Sequence, residues 1–336
     1  MGNNITSLGS VVRTHSQTIG NKTALVLGDR TQSWSQLYER SMKMANALAA
    51  AGVGSQDRIA FLDKNGIEHF EVLYGAALLN AVSVDVNFRL AAPEVEYIVN
   101  NAEAKVFIVG PDFVPILDAI AENLTSAKTI VVIGGHSKFQ SYDSFIDSGA
   151  ATDPNVPSAE GDVAFQLYSS GTTGRPKGVM LTNSNFFALI PFAKEMWKFD
   201  DNTVNLVAMP LFHIGGGGWA TAGQALGAKS IIVRDINPVE IVQLIVKHRI
   251  SHAFAVQALL QFMLMVPDLD KTDFSSLQLI AYGASPISEE VLRGAIKAFK
   301  TNFMQVYGLT ETTGATTILL PEEHDLDGPN KKLLRS

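Results

Sequence analysis

Short apolar, β-branched segments alternate with helical patterns along the whole chain, and this alternation limits the fold more narrowly than any other feature. Near-continuous apolar strands that are separated by helices are typical of a parallel sheet covered on both faces. The candidate strands are Arg58–Leu62, Val82–Val86, Lys105–Val109, Thr129–Ile133, Val163–Tyr168, Val204–Met209, Ser230–Val233, His252–Val256, Leu277–Ala281 and Phe303–Val306. The sequence therefore predicts an α/β fold built on mostly parallel sheets.

Helix signals fall between these strands. Ser33 and Gln36 have the spacing of a capping box, and Gly52 lies just past the end of the apolar face that follows. Ser288 is placed to cap a later helix. The candidate helices are Ser33–Ala51, one that begins at Pro93, Ser184–Trp197, Pro238–His248 and Ser288–Phe299.

The length of 336 residues allows about two domains. Residues 148–162 hold turn-forming residues without periodicity, which is typical of a surface connection. We expect two α/β lobes within residues 1–336 that meet near residues 149–180. After Leu320 the sequence becomes polar and turn-rich, so we expect a fold that is incomplete at its C-terminus.

The composition excludes several kinds of site and partner. The chain has no cysteine, which excludes disulfides, Cys-ligated zinc and thiol nucleophiles and indicates a reducing compartment. A net charge of −7 argues against nucleic acid as the main partner, but a small anion in a local cationic pocket remains compatible. Because no signal peptide or membrane-spanning run is evident, we expect a cytoplasmic protein, and peripheral contact with a membrane stays open.

A loop rich in glycine and hydroxyl side chains follows one predicted strand. Residues 168–179 read Tyr-Ser-Ser-Gly-Thr-Thr-Gly-Arg-Pro-Lys-Gly-Val. The glycines let the backbone turn sharply and point N–H groups at one centre, which suits a polyphosphate. Because Arg175 and Pro176 separate Gly174 from Lys177, this is not a Walker A loop. The candidate phosphate ligands are Ser169, Ser170, Gly171, Thr172, Thr173, Gly174 and Lys177.

This loop resembles the phosphate-binding loop of the adenylate-forming superfamily, which includes acyl-CoA synthetases, nonribosomal peptide adenylation domains and firefly luciferase. Ten specified positions match by chance on the order of once in 10¹¹ at ordinary residue frequencies. The resemblance implies stacked, mostly parallel sheets flanked by helices, as in the large N-terminal domain of acyl-CoA synthetases. It also implies that ATP and Mg²⁺ bind, with Lys177 among the catalytic residues.

Two further loops resemble motifs of the same family. In Gln305–Glu311 the resemblance implies that Tyr307 packs on adenine, that Thr310 contacts the α-phosphate and that Glu311 ligates Mg²⁺. One carboxylate is chemically sensible, because Mg²⁺ takes one or two carboxylates together with phosphate oxygens. The remaining implied nucleotide-binding residues are Gly308 of this motif and Gly283, Ala284 and Ser285 of a Gly-Ala-x-Pro loop. The latter loop can also be an ordinary strand-to-helix turn, and the two interpretations are compatible.

The segment Met209–His213 resembles the mouth of the family's acyl pocket, which implies that His213 lies near the carboxylate and the reacting phosphate. Four glycines follow, among them Gly216, and such a run indicates either close approach to a ligand or a flexible loop. Trp219 has two interpretations. It is a gate of the acyl pocket, or it is a core aromatic residue at the start of a helix.

The resemblance covers only the first part of the family's length. An Arg-Thr-Gly-Asp segment that holds the ribose and a small C-terminal domain with an essential lysine have no counterpart here. We therefore interpret the chain as the large domain of an enzyme that activates a carboxylic acid with ATP and then transfers the acyl group to coenzyme A. A fatty acid is the favoured substrate, and the chain alone is expected to be inactive.

Three alternatives stay open on the sequence. The substrate could be an aryl acid of the coumarate type. The acceptor could be a carrier protein rather than coenzyme A. The chain could also be a non-catalytic nucleotide-binding module.

Overall fold

The computed structural model describes residues 5–169, 174–324 and 327–328. The chain forms two compact units, the first from Met1–Ala24 and Arg30–Pro191 and the second from Leu25–Asp29 and Phe192–Ser336. This division falls later in the chain than the predicted junction near residues 149–180.

The strands and helices of the first part of the chain follow the predicted alternation. The strands are β1 (Thr23–Leu27), β2 (Arg30–Ser33), β3 (Arg58–Leu62), β4 (Val82–Asp85), β5 (Val106–Val109), β6 (Thr129–Val132), β7 (Gln140–Ser141), β8 (Val163–Ser169) and β9 (Lys177–Thr182). The helices are α1 (Leu8–Thr18), α2 (Trp34–Ala50), α3 (Ile67–Leu78), α4 (Ala92–Asn101), α5 (Val114–Ile120), α6 (Tyr142–Asp147), α7 (Asn183–Phe187) and α8 (Leu189–Glu195).

A seven-stranded sheet in the order β7-β6-β5-β3-β4-β8-β9 carries the first unit. Its neighbours are parallel except for β9, which runs antiparallel to β8. Strand β8 pairs with β4, with Gln166 opposite Val84, so residues 163–169 remain in the first sheet. This pairing explains why the observed division lies beyond the predicted connection.

Local signals set the helix ends where the sequence contains them. Ser33 caps α2, accepting a hydrogen bond from the backbone N–H of Gln36, and the Gln36 side chain accepts one from the N–H of Ser33. The predicted helix Ser184–Trp197 is instead two short helices, α7 and α8. Pro191 has no N–H to continue a helical ladder and is tolerated only in a first turn, so a new helix starts at Leu189.

The second unit continues the alternation. Its strands are β10 (Val204–Val207), β11 (Lys229–Ile232), β12 (His252–Ala255), β13 (Leu279–Gly283), β14 (Asn302–Tyr307) and β15 (Thr317–Leu319). Its helices are α9 (Trp219–Ala225), α10 (Pro238–His248), α11 (Gln257–Leu264) and α12 (Glu289–Phe299). The predicted α/β class, with mostly parallel sheets flanked by helices, is confirmed.

An eight-stranded sheet has the order β15-β14-β13-β12-β10-β11-β1-β2. Strands β10 to β14 are parallel, and β15 is antiparallel to β14. The carboxyl ends of parallel strands meet at one edge of a sheet, where ligands of α/β proteins usually bind. In this sheet that edge carries the segments that follow Val207, Gly283 and Tyr307. In the parts of the chain that the structure describes, no helix has the length and apolar character to cross a bilayer.

Candidate active site

The β8–β9 hairpin of the first unit carries the predicted phosphate ligands. Its last pair joins Ser169 to Lys177, whose side chain is exposed. Gly174 has a φ of +97°, a left-handed conformation that glycine adopts without strain. The predicted ligands Ser170, Gly171, Thr172 and Thr173 lie outside the described residues.

The second arm of this hairpin fits closely against the first. A Cβ atom at Gly178 would lie 2.7 Å from Nε2 of Gln166 and 3.1 Å from Cζ of Tyr168, so a larger residue would require these side chains to shift. Partial burial raises the pKa of Tyr168 to about 12, which keeps its hydroxyl protonated as a hydrogen-bond donor. The two arms therefore form a well-packed base for the loop.

The predicted adenine loop follows β13 in the second unit. A Cβ at Gly283 would lie 2.1 Å from the carbonyl oxygen of Val306, so this position requires glycine. Ala284 has a φ of +62°, an uncommon conformation for a residue with a side chain. Ala284 and Ser285 are exposed. Backbone strain of this kind clusters at ligand sites, which favours a binding role for the loop.

The segment after β14 presents the predicted adenine and metal residues. Tyr307 ends the strand with 62% of its surface exposed, which leaves its ring accessible to a base. Thr310–Thr312 forms one 3₁₀ turn, and Glu311 on it is exposed. A Cβ at Gly308 would lie 1.7 Å from the carbonyl oxygen of Gly314, so the backbone doubles back tightly beneath the turn.

The glycine run after His213 forms a π-helical turn, Ile214–Gly218, that leads into α9. The carbonyl oxygen of His213 accepts hydrogen bonds from the N–H groups of Gly216 (2.9 Å) and Gly217 (2.8 Å). The imidazole of His213 is exposed. Turns of this kind are frequent at functional sites.

Steric fit explains two of the glycines in this turn. A Cβ at Gly216 would lie 2.1 Å from the carbonyl oxygen of Pro210, and one at Gly217 would lie 2.5 Å from that of Leu211. The turn therefore packs on the segment that leads into it, and the glycines supply the space.

Trp219 lies at the start of α9 and is 5% exposed. Its indole N–H donates to Oδ1 of Asn205 at 2.6 Å. Its ring contacts those of Trp197, Phe199 and Phe254. This burial matches the interpretation as a core aromatic residue, and the role of Trp219 at an acyl pocket stays a prediction.

Three predicted segments of the second unit meet around Phe254 and Ile214. A Cβ at Gly215 would lie 3.2 Å from Cε1 of Phe254, and one at Gly283 would lie 3.7 Å from Cζ of the same ring. A Cβ at Gly314 would lie 3.1 Å from Cγ1 of Ile214. The fold thus brings together the turn after His213, the predicted adenine loop and the turn that carries Glu311. Phe254 is one apolar residue in a buried strand, so no sequence signal singled it out.

The comparison with known protein families covers almost the whole chain. A family model described as "AMP-binding enzyme" matches residues 12–333. The chain belongs to the AMP-binding enzyme family.

Two relatives of this AMP-binding chain have names that specify fatty acids. It is 35% identical over 317 residues to "Fatty acid--[acyl-carrier-protein] ligase ScoC" of Streptomyces coeruleorubidus, covering 92% of the chain and 59% of the relative. It is 32% identical over 302 residues to "Long-chain-fatty-acid--CoA ligase FadD13" of Mycobacterium tuberculosis, covering 88% and 58%. The chain therefore spans less than two thirds of the length of these relatives.

Solved structures show the same fold. The inhibitor-bound N-terminal domain of FACL13 from Mycobacterium tuberculosis superposes with a TM-score of 0.86 at 30% identity, covering 94% of this chain and 79% of that one. Its agreement in fold confirms the predicted architecture of an acyl-CoA synthetase N-terminal domain.

A cavity of about 660 Å³ in the second unit of the AMP-binding chain lies away from the predicted residues. It is lined by the first residues of β12, β13 and β14 (His252, Leu279 and Asn302), at the amino edge of the sheet. Burial lowers the pKa of His252 to about 4. None of the predicted site residues lines this cavity.

Proposed function

We propose that the intact protein activates a fatty acid with ATP and passes the acyl group to coenzyme A. The observation that carries this proposal is the meeting, within the second unit, of the turn after His213, the loop at Gly283 and the turn with Glu311. These are the segments to which the family resemblance assigns the carboxylate, the adenine and the metal. The match to AMP-binding enzymes supports the same reaction class.

The proposed first step is an in-line displacement. A carboxylate oxygen of the acid attacks the α-phosphorus of ATP, the bond from that phosphorus to the β-phosphate bridging oxygen breaks, and pyrophosphate leaves with the electron pair. Catalysis of such a step is mostly positioning and stabilisation of charge on the transferring group. Lys177 and the hydroxyl and N–H groups near it would bind the phosphates, and Thr310 would contact the α-phosphate.

Residues of the second unit have the chemistry that adenine and Mg²⁺ require. The exposed ring of Tyr307 would stack on adenine beside Gly283 and Ser285. Glu311 fits a Mg²⁺ site, because this ion combines one or two carboxylates with phosphate oxygens and water. Bound there, Mg²⁺ would neutralise phosphate charge.

The second proposed step is acyl transfer. The thiol of coenzyme A attacks the acyl carbon and releases its proton to solvent, and AMP leaves with the electron pair as the carbon–oxygen bond breaks. This route needs no protein nucleophile, which fits a chain without cysteine. The names of the relatives differ in the acceptor, one being an acyl-carrier-protein ligase and one a CoA ligase. We assign coenzyme A and treat the carrier protein as the competing outcome.

The fatty-acid assignment rests on the apolar surroundings of the turn and on the relatives. Phe254, 7% exposed, lies beneath Gly215 and Gly283, and Trp219 extends the apolar cluster. Both relatives above act on fatty acids according to their names.

A thermal-shift titration of the 336-residue chain tests the proposal. The probes are non-hydrolysable acyl-sulfamoyl-adenosines with short alkyl, long alkyl and aryl groups. A probe at 100 times its Kd adds about 2.7 kcal/mol of stability, which gives a visible shift. We expect a shift that grows with alkyl length. A larger shift with the aryl probe would contradict the fatty-acid assignment, and no shift with any probe would contradict nucleotide-linked acid binding by this chain.

Lys177→Ala separates a phosphate-binding role from a structural one. We expect this variant to unfold at the temperature of the wild type and to bind ATP at least about tenfold more weakly, because it removes a charge-assisted contact. Lys297→Ala, at an exposed lysine in the last turn of α12, is the matched control. Equal ATP affinity in the two variants would contradict the role of Lys177.

A further inference from the structure

We propose that helix α4 positions the phosphate-binding loop, with Tyr97 and Asn101 as positioning residues that hold the two flanks of the loop. The inference rests on the proposed function, since it assumes that residues 169–177 bind the phosphates of ATP. It assigns a role to a helix that no phosphate-loop motif contains.

Helix α4 is fixed in the core of the first unit. Val95, Ile98 and Val99 are fully buried and belong to the apolar cluster on one face of the sheet. The backbone N–H of Ala91 donates to Oε2 of Glu94 at 2.9 Å, which closes the first turn. A helix held in this way is a rigid support.

Tyr97 and Asn101 are four residues apart, so they lie on the same face of α4. The hydroxyl of Tyr168 donates to Oδ1 of Asn101 at 2.7 Å. This contact holds the first flank, because Tyr168 immediately precedes Ser169.

The second flank contacts the other residue of the pair. The guanidinium carbon of Arg175 lies 5.3 Å from the centre of the Tyr97 ring, within the range of a cation–π contact. The hydroxyl of Tyr97 donates to the carbonyl oxygen of Pro176 at 3.4 Å. Both contacts come directly before Lys177.

One helix face thus holds both ends of the segment that leaves the sheet at Ser169 and returns at Lys177. Ordering a free loop around a ligand costs conformational entropy for each residue that is fixed. Flanks that are already held reduce this cost, and the reduction appears as affinity for the ligand. The gain should apply to a ligand that contacts the loop and not to one that contacts only the second unit.

ATP and AMP distinguish this role from general stabilisation. AMP lacks the β- and γ-phosphates, whereas its adenine and α-phosphate are assigned to Tyr307 and Thr310. We expect Tyr97→Ala and Asn101→Ala each to raise the Kd for ATP about threefold to tenfold, the range of one cation–π contact or hydrogen bond. The Kd for AMP should change less than about twofold. Both are measured by calorimetric titration of the 336-residue chain with Mg²⁺ present.

Conservative and matched variants accompany these two. Tyr97→Phe keeps the ring that faces Arg175 and should bind ATP within about twofold of the wild type. Tyr168→Phe removes only the hydroxyl that donates to Asn101, so it tests the first flank without leaving a cavity. Asn100→Ala is the control, since its side chain bonds instead to the carbonyl oxygen of Asn123 and the N–H of Thr125.

Three results would overturn the proposal. The first is a wild-type affinity for ATP in Tyr97→Ala, Asn101→Ala and Tyr168→Phe. The second is an equal loss of ATP and AMP affinity, which would indicate a purely structural role. The third is an equal loss of ATP affinity in Asn100→Ala. In all three the wild type still binds ATP, so the proposed function stands. Absence of ATP binding by the wild type would instead contradict the function on which the inference rests.

Discussion

Two glycine-rich segments of the candidate site use glycine for different physical reasons. In the β8–β9 hairpin, Gly174 has a φ of +97°, and a Cβ there would meet none of the described residues within 4 Å. In the turn Ile214–Gly218, a Cβ at Gly216 would collide with the backbone of Pro210. Gly174 therefore supplies a backbone conformation, and Gly216 supplies space. Gly216→Ala should damage the fold, whereas Gly174→Ala should damage mainly binding.

The largest effect is expected for Gly216→Ala. The atom that the new methyl group meets is a backbone oxygen, which cannot move without shifting the chain. Overpacking of this kind costs about 3 kcal/mol. The free energy of unfolding in urea measures the loss. Gly161→Ala is the control, because a Cβ at Gly161 meets no atom of the part of the chain that the structure describes within 4 Å, and its φ is not left-handed. A loss below about 1 kcal/mol for Gly216→Ala would contradict the claim that Gly216 is needed for steric fit.

The next largest effect is expected for Asn205→Ala beneath the same turn. This change leaves the buried indole N–H of Trp219 without its acceptor at 2.6 Å, and an unsatisfied buried donor costs about 2 kcal/mol. Urea unfolding measures this loss as well. Trp219→Phe combined with Asn205→Ala should cost less than the sum of the single changes, since both partners are removed. Additive losses would show that the bond contributes nothing.

The packed cluster beneath the turn should also oppose protonation. The ring of His252 packs against Phe199, and burial lowers its pKa from 6.5 to about 4. Below pH 6.5 the unfolded chain binds a proton that the folded chain does not, so stability falls as the pH falls towards 4. Between pH 7.5 and 5.0 the wild type should lose about 2 kcal/mol more than His252→Gln. Urea unfolding of both proteins at the two pH values measures this difference. If the wild type and His252→Gln lose the same stability between pH 7.5 and 5.0, the claim that the buried imidazole of His252 is neutral is contradicted.

The smallest effect on stability is expected for Gly174→Ala. A left-handed alanine costs about 1 kcal/mol. The melting temperature should change little, while the Kd for ATP rises several-fold. Calorimetric titration with ATP checks this prediction. A large loss of stability without a change in ATP affinity would reverse the roles assigned to the two segments.

Local signals predicted much of the fold. The capping box at Ser33 and Gln36 and the cap at Ser288 gave helix starts that the structure confirms. The predicted helix Pro238–His248 agrees with α10 at both ends, and the structure shows proline in its first turn and basic residues in its last. These elements were predictable because their ends are determined by neighbouring residues.

Strands that depend on pairing with another segment were not predictable in the same way. Strand β9 begins inside the glycine-rich motif and exists because it pairs with β8. Leu25 pairs with Ser230, so a short N-terminal strand joins the sheet of the second unit. The residues of each strand alone do not show which other strand it pairs with.

The residues of the candidate site fall into the same two groups, those with a local sequence signal and those without one. The motifs singled out Lys177, Tyr307 and Glu311 as candidates, because polar residues in glycine-rich segments are conspicuous in an apolar chain. The role of Phe254 and the supports on α4 came only from the structure, since a buried phenylalanine and a helix-surface asparagine look ordinary in sequence. The glycine run was interpreted as ligand approach or flexibility, and for Gly216 and Gly217 the structure adds packing against the preceding segment.

The most direct test of the account is ATP–pyrophosphate exchange by the intact protein with long-chain, short-chain and aryl acids in parallel. Exchange requires formation of the acyl adenylate and its reversal, so it reports the proposed first step alone. We predict exchange that depends on Mg²⁺, is fastest with the long-chain acid and is lost in Lys177→Ala. Absence of exchange with every acid, or undiminished exchange in Lys177→Ala, would contradict the central claim.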